Sequence, residues 1–331
     1  MREFATVHQP EISIAVPVYK GVRFLAAAIE SVQTQSFRDW ECICVDDGSK
    51  DGSASIADEF ARKDPRIAVI HRENGGTSAA RNAAMERARG RYIAFLDEDD
   101  IYHPRYLEVL HSAAERHGAD AVGMDFLPFD EDGAPDFREP PAEGAERAYD
   151  AGGMRDLVAD WYDGAPWEVW RHLYRREAVA GEEFPAGVRV EQDLRWHYSV
   201  LPRFRKYVRI GWAGYGWRRN ANGGVLNPSP ESLISETRAF GHFAETLPRS
   251  MGLSEGQTLR LKRNVARWCK AAICAPVRRG VRFSRGEFAE FRAAVRALRT
   301  AGVDERVALG TRKRMLWNLF IATGIEGFTR I

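Results

Sequence analysis

The sequence predicts an α/β protein: a mostly parallel β-sheet flanked by helices, followed by a helical C-terminal region. Three observations predict it. Short apolar runs alternate with stretches of helical periodicity through the first 130 residues. Clusters of Asp, Gly, Ser and Asn follow the ends of those runs. Beyond about residue 230 the strand-like runs stop and apolar residues recur at helical spacing.

The elements follow in order. Ile12 to Val18 is the first strand, Val22 to Gln35 a helix, Glu41 to Val45 the second strand, and Ser53 to Lys63 a helix. Ile67 to His71 is the third strand, and Ser78 to Arg89 an Ala-rich helix that Gly90 ends. Tyr92 to Leu96 is the fourth strand; bulky residues in a row leave no polar face, as in a strand buried on both sides. Pro104 to His117 is a helix and Ala119 to Phe126 the fifth strand. Strands alternating with helices make βαβ units, whose ligands gather at the C-terminal strand ends. Residues 130–152 are acidic and rich in Pro and Gly, and read as a long surface loop or mobile flap. Six of the nine tryptophans (Trp161, Trp167, Trp170, Trp196, Trp212, Trp217) fall between 161 and 217, where indole faces suit the apolar faces of sugars as well as a core.

Composition bounds the function. Hydrophobic content of 44% suits a globular core, and a net charge of +1 conceals an asymmetry. Residues 257–331 carry 17 Lys/Arg against 5 Asp/Glu, a net of +12, which leaves the remainder near −11. A basic tail on an acidic body reads either as a solvated face of arginine-rich helices or as a contact for anionic lipid, an acidic polymer or a partner. Arg312-Lys313-Arg314 followed by Met315-Leu316-Trp317 makes peripheral contact with a membrane, packing on the catalytic part, or a homodimer contact the readings for the tail. No nucleic-acid motif appears. Cys42, Cys44, Cys269 and Cys274 lack zinc spacing, which suits a reducing compartment. Without an apolar leader or a run of about 18 apolar residues, the expected place is the cytoplasm, with the inner face of the membrane as an extension of it.

Chemistry concentrates after the strands. Pro17 and Tyr19 follow the first, where Tyr19 offers a ring to a nucleobase or simply packs. Asp46-Asp47-Gly48-Ser49 follows the second; its aspartates suit base and ribose donors, or an Asx turn capping the next helix. Asn74-Gly75-Gly76 runs into a helix N-terminus that offers backbone amides to an anion, with Arg81 one turn inside. Asp97-Glu98-Asp99-Asp100 ends the fourth strand. Like charges so close repel unless a cation neutralises them, and hard carboxylate oxygens suit Mg²⁺ or Mn²⁺. The other reading of the tetrad is a solvated acidic turn.

Taken together, Val16-Pro17-Val18-Tyr19, Val45-Asp46-Asp47-Gly48-Ser49, Asn74-Gly75-Gly76 with Ala80-Arg81-Asn82, and Phe95-Leu96-Asp97-Glu98-Asp99-Asp100 resemble the family 2 glycosyltransferases of the GT-A (Rossmann-like) fold. The resemblance is dense over residues 11 to about 125 and loose to about 225. It implies a nucleotide-diphospho-sugar donor, with uridine favoured, a divalent metal (Mn²⁺ or Mg²⁺), and inversion at the anomeric carbon. It implies that Pro17, Tyr19, Asp46 and Asp47 hold the nucleoside, that Arg81 lies near ribose or phosphates, and that Asp97 and Asp99 form the Asp-x-Asp metal element, with Asp99 the direct ligand. The acceptor base falls in Val190-Glu191-Gln192-Asp193, where the family's Glu-Asp pair is split; Asp193 is the first choice and Glu191 the second. Trp170 and His172, in a segment resembling the family's Trp-x-x-Leu-Tyr-Arg, and Trp196 are expected beside the acceptor, which is a glycan, a lipid-linked glycan or a small molecule. Arg218 and Arg219 lie in a segment resembling the late loop over the diphosphate. The implied domains are a catalytic one over residues 1–228 (donor half 1–125, acceptor half 154–228) and a basic helical region over 229–331. Two rivals remain: a non-catalytic binder of sugar nucleotide or glycan, and a nucleotidyltransferase, for which Lys20-Gly21-Val22-Arg23 is a poor triphosphate grip.

Overall fold

The computed structural model describes residues 9–141, 146–160, 167–188, 191–220, 229–269 and 280–306, with positions 273, 313, 315, 317, 318, 321 and 322. The chain forms two compact units: residues 1–150, 168–187 and 203–219 in the first, and residues 151–167, 188–202 and 220–331 in the second. This division is discontinuous, unlike the expected break after residue 228. The reason is amphipathic packing: the helices at 151–159 and 192–200 bury their faces on helices of the C-terminal region.

The first unit is a mixed sheet with helices. In chain order its elements are β1 (Ile12–Val18), α1 (Leu25–Gln33), β2 (Trp40–Asp46), α2 (Ser53–Lys63), β3 (Ile67–His71), α3 (Thr77–Arg87), β4 (Tyr92–Phe95), β5 (Ile101–Tyr102), α4 (Tyr106–His117), β6 (Ala121–Asp130), β7 (Glu146–Asp150), β8 (His172–Arg175) and β9 (Lys206–Arg219). The strand order is β3-β2-β1-β4-β8-β6-β9-β5, with β7 also paired to β9. The half β3-β2-β1-β4 is parallel throughout, as the βαβ pattern requires. Beyond it β8 runs antiparallel to both β4 and β6, β6 pairs parallel with β9, and β5 and β7 run antiparallel to β9. Every residue of β1 and β2 is buried. The small side chains Ala80 and Ala84 let α3 pack closely on these strands.

The stretch read as a loop or flap holds more structure than expected. Residues 146–150 form the edge strand β7, whose single buried residue, Tyr149, left little alternation to read. Residues 131–138 are pinned: Arg23 ion-pairs with Glu131 and Asp132, Trp212 Nε1 donates to the Arg138 carbonyl, and Phe137 meets His103 edge-on.

The second unit comprises α5 (Ala151–Ala159), α6 (Gln192–Val200), α7 (Pro230–Ser250), α8 (Glu255–Cys269) and α9 (Arg285–Thr300). Ser229 caps α7 ahead of Pro230, and Ser284 with Glu287 forms a capping box on α9. α7 packs against α6, α8 and α9, so its apolar stripe is the core of this unit. Among the described residues no helix is long and apolar enough to cross a membrane. Cys274 and most of the basic-aromatic tail lie outside the described residues.

At the N-terminal edge of the parallel strands a buried polar knot closes the sheet. The Ser13 hydroxyl donates to Glu41 at 2.7 Å and accepts from the Gly90 amide at 2.8 Å, while Arg89 donates to Glu41 through its backbone and its guanidinium. Ser13→Ala leaves the Gly90 N–H buried without an acceptor. The expected loss is about 1–3 kcal/mol in urea unfolding, and a loss within error would show that the knot carries no stability.

Candidate active site

The strand ends of the first unit bring four loops together. Pro17 is buried in β1, whereas Tyr19, just beyond the strand, is 42% exposed. Lys20 is left-handed, with φ 59°, and its ammonium lies 4.9 Å from the Tyr19 ring centroid. The neighbouring β2 ends in Asp46 and Asp47, both buried. Asp46 accepts from the Ser49 amide at 3.0 Å and faces His71 Nδ1 at 3.1 Å, and the other His71 nitrogen faces Asp58 at 3.0 Å. Burial raises the pKa of Asp46, but the bonds from Ser49 and His71 outweigh it and the net shift is downward. The hydrogen bond to Asp46, with Asp58 behind it, raises the pKa of His71.

Asp47 is consumed by the fold. Its carboxylate accepts from the Gly75 amide at 3.0 and 3.1 Å and from the Gly76 amide at 2.7 Å, and Arg72 Nε stands 3.3 Å away. Gly48, at φ 77°, permits this approach; a Cβ there would lie 3.0 Å from the Asn74 amide. The amides expected to face an outside anion therefore already hold an internal one. Sequence reasoning missed Arg72, although it directly follows His71, the register partner of Asp46.

The acidic turn after β4 is asymmetric. Asp97 accepts from buried Arg81 at 2.8 Å. The Asp100 carboxylate is buried and accepts from the Tyr215 hydroxyl and the Arg218 amide, each at 2.7 Å. Glu98 is tucked under the β1 loop, where it accepts from the Tyr19 amide; a Cβ on Gly21 would lie 2.7 Å from its Cγ. Burial, then the Asp99 and Asp97 carboxylates, pushes Glu98 up to about 8 and moves Asp100 in the same direction.

Several residues expected to meet donor or acceptor have partners within the protein. The Arg218 guanidinium lies 4.5 Å from the Phe24 and Phe129 ring centroids and donates to the carbonyls of Asp99 at 2.6 Å and Glu131 at 2.5 Å, so it ties loops together. Arg219 forms a surface ion pair with Asp130 at 3.3 Å. Trp170 is buried and stacks on Tyr215 with centroids 4.4 Å apart, and His172 is buried between the Glu168 carbonyl and the Tyr207 hydroxyl. Trp196 is buried as well. These three fill cores, because a large ring gains more by leaving water than by lining a wet groove. Trp161 and residues 221–224, the end of the segment resembling that late loop, lie outside the described residues.

The candidate bases belong to the second unit. Asp193 is half-buried in the first turn of α6. Glu191, the N-cap residue of α6, has a left-handed backbone (φ 57°, ψ 22°) and bonds to the Ser235 side chain of α7.

Among the described residues one group converges like a metal site: Glu11, His111 and Glu115, with ligand atoms within 4.8 Å of one another. It lies at the opposite end of β1 from the loops above, and Arg91 already ion-pairs with both glutamates.

Residues 13–162 match the family model described as glycosyl transferase family 2. EpsJ of Bacillus subtilis (strain 168), an uncharacterized glycosyltransferase, is 34% identical over 216 residues, 64% of this chain and 62% of that protein. The match thus spans less than two thirds of that relative's length. The S. aureus TarS 1-349 structure in complex with UDP-GlcNAc covers 97% of this chain and 89% of its own, with a TM-score of 0.71 and 18% identity. The mannosyltransferase PcManGT from Pyrobaculum calidifontis, in complex with GDP-Man and Mn²⁺, covers 96% and 80% with a TM-score of 0.50 and 14% identity. Both structural likenesses concern the fold.

Arg218→Met keeps an apolar stem between Phe24 and Phe129 but strips two carbonyls of their donor. A loss of about 2–3 kcal/mol in denaturant unfolding is expected; a loss below about 0.5 kcal/mol, in the range of an ordinary surface change, would mean that the guanidinium is not the tie described.

Proposed function

We propose, from the match of residues 13–162 to the family model described as glycosyl transferase family 2 and from the shared fold, that the protein moves a sugar from a nucleotide-diphospho-sugar to an acceptor hydroxyl, with inversion at the anomeric carbon. The observation that carries this reading is that Tyr19, Asp46, the segment leading into α3 with Arg81, and Asp97–Asp100 follow or end adjacent parallel strands at their C-terminal side. A UDP-sugar is the favoured donor, since the TarS structures hold UDP and UDP-GlcNAc. The acceptor class is a glycan, a lipid-linked glycan or a small hydroxylated molecule.

Each residue has a role in this reading. The exposed Tyr19 ring lies against the nucleobase, and Asp46, held by Ser49 and His71, presents its remaining lone pairs to the nucleoside. Arg81 orients Asp97. Asp97 and Asp99 are the residues that would hold Mn²⁺ or Mg²⁺. The donor set fits such an ion: its oxygens are hard, and the two carboxylates stand two residues apart on one turn whose last residue, Asp100, is anchored inward. When bound, the ion neutralises charge on the departing nucleoside diphosphate. Asp193 takes the proton of the acceptor hydroxyl as its oxygen bonds to the anomeric carbon and the bond from that carbon to the diphosphate oxygen breaks.

The test is release of nucleoside diphosphate from sugar nucleotides in the presence of acceptor. Asp193→Asn should lower kcat by about 10²–10⁴-fold while nucleoside diphosphate affinity stays within about twofold, less than a single ordinary hydrogen bond is worth. Asp99→Ala should abolish the metal-dependent turnover. Full activity in Asp193→Asn would remove it as the base. Donor binding without turnover in the unaltered protein would favour the non-catalytic binder.

A further inference from the structure

The start of α6 carries two carboxylates in different surroundings. Asp193 lies in the first turn, in the position proposed for the base. Glu191 caps the helix with a left-handed backbone, which side-chain-bearing residues other than Asn and Asp rarely adopt. Such a conformation persists where its surroundings over-determine it. Here the surroundings are α7: the Glu191 carboxyl bonds to the Ser235 side chain and faces the Glu236 carboxyl. Its Oε2 is sealed from solvent and has no hydrogen-bond partner among the described residues. Glu236 in turn bonds to the Trp268 indole of α8.

We propose that Glu191 is a positioning residue: lodged against Ser235 and Glu236, it pins the left-handed turn that begins α6 and so sets the orientation of Asp193. The effect on turnover rests on the reading of Asp193 as the base.

The pair can hold this place only while it is largely uncharged. Burial first, and then the Glu236 carboxylate, pushes Glu191 up to about 8, and burial pushes Glu236 up to about 8. Among the described residues the charged groups facing Glu191 are Glu236 from α7 and Arg195 from α6, and the Ser235 bond and Arg195 offset only part of the shift. The sign follows from proton counting. Between the ordinary glutamate value, 4.5, and about 8 the folded chain holds protons that the unfolded chain has lost. Stability contributed by the pair is therefore full below 4.5 and falls as pH rises through that window. Above about 8 the two carboxylates ionise against each other, and the turn that orients Asp193 loosens.

The experiment compares the full chain with Glu191→Ala, Glu191→Gln and Glu236→Gln in two readouts. The first is melting temperature against pH from 5 to 9: the unaltered protein should lose stability across this range, and the two Gln variants, which cannot ionise there, should show a clearly shallower fall. Identical slopes would overturn the acid pair. The second is kcat with nucleoside diphosphate affinity measured alongside. Glu191→Ala should lower kcat about tenfold or more with affinity unchanged, and Glu191→Gln should recover most of that loss at pH 7 and lack the decline above pH 8. Unchanged kcat in Glu191→Ala would overturn the positioning role, as would a Glu191→Gln loss equal to that of Asp193→Asn. Absence of turnover in the unaltered protein would fail the functional reading, and the melting slopes would still decide the acid pair.

Discussion

The buried carboxylate of Asp100 is the constraint on which the candidate donor site depends. It accepts the Tyr215 hydroxyl and the Arg218 amide, and the Arg218 side chain returns to the Asp99 carbonyl. The turn after β4 is thereby bolted to β9, a strand about 115 residues later in the chain. One end of the turn that carries Asp97 and Asp99 is thus anchored inward. Removing an anchor of this kind leaves buried partners unpaired, which costs more than the bonds themselves contribute.

The same logic recurs one loop away. Asp47 gives its charge to the amides of Gly75 and Gly76, so a residue that reads as a ligand contact is an internal brace for the loop ahead of α3. Asp46, beside it, is braced by Ser49 and His71. Across the site, acids that look alike in sequence differ in their surroundings. Asp47 and Asp100 hold loops, and Asp97 is part-exposed and paired with Arg81.

Much of the parallel half was legible. β1, β2, β3 and β4 are short apolar runs with helices between them, and local periodicity suffices to place such units. β5, β7, β8 and β9 were not placed as strands. β5 is two residues long, β7 shows one buried position in five, and β8 reads His-Leu-Tyr-Arg. These strands exist because they find long-range partners, which local pattern does not record. The four motifs at the strand ends were legible as places, less so as roles. Whether an arginine reaches outward or is sandwiched between Phe24 and Phe129, or an indole lines a groove or stacks on Tyr215, depends on residues far away in sequence. The strained turn at Glu191 was invisible for the same reason, since nothing adjacent to it announces Ser235 or Glu236.

The most direct test of the central claim is a thermal-shift panel of nucleoside diphosphates with and without Mn²⁺, run on the unaltered chain and on Asp99→Ala. A donor site built on Asp97 and Asp99 predicts that one diphosphate raises the melting temperature strongly only with the ion, and that Asp99→Ala removes the ion-dependent part. No shift with any nucleoside diphosphate, or a shift indifferent to both the ion and Asp99, would contradict it.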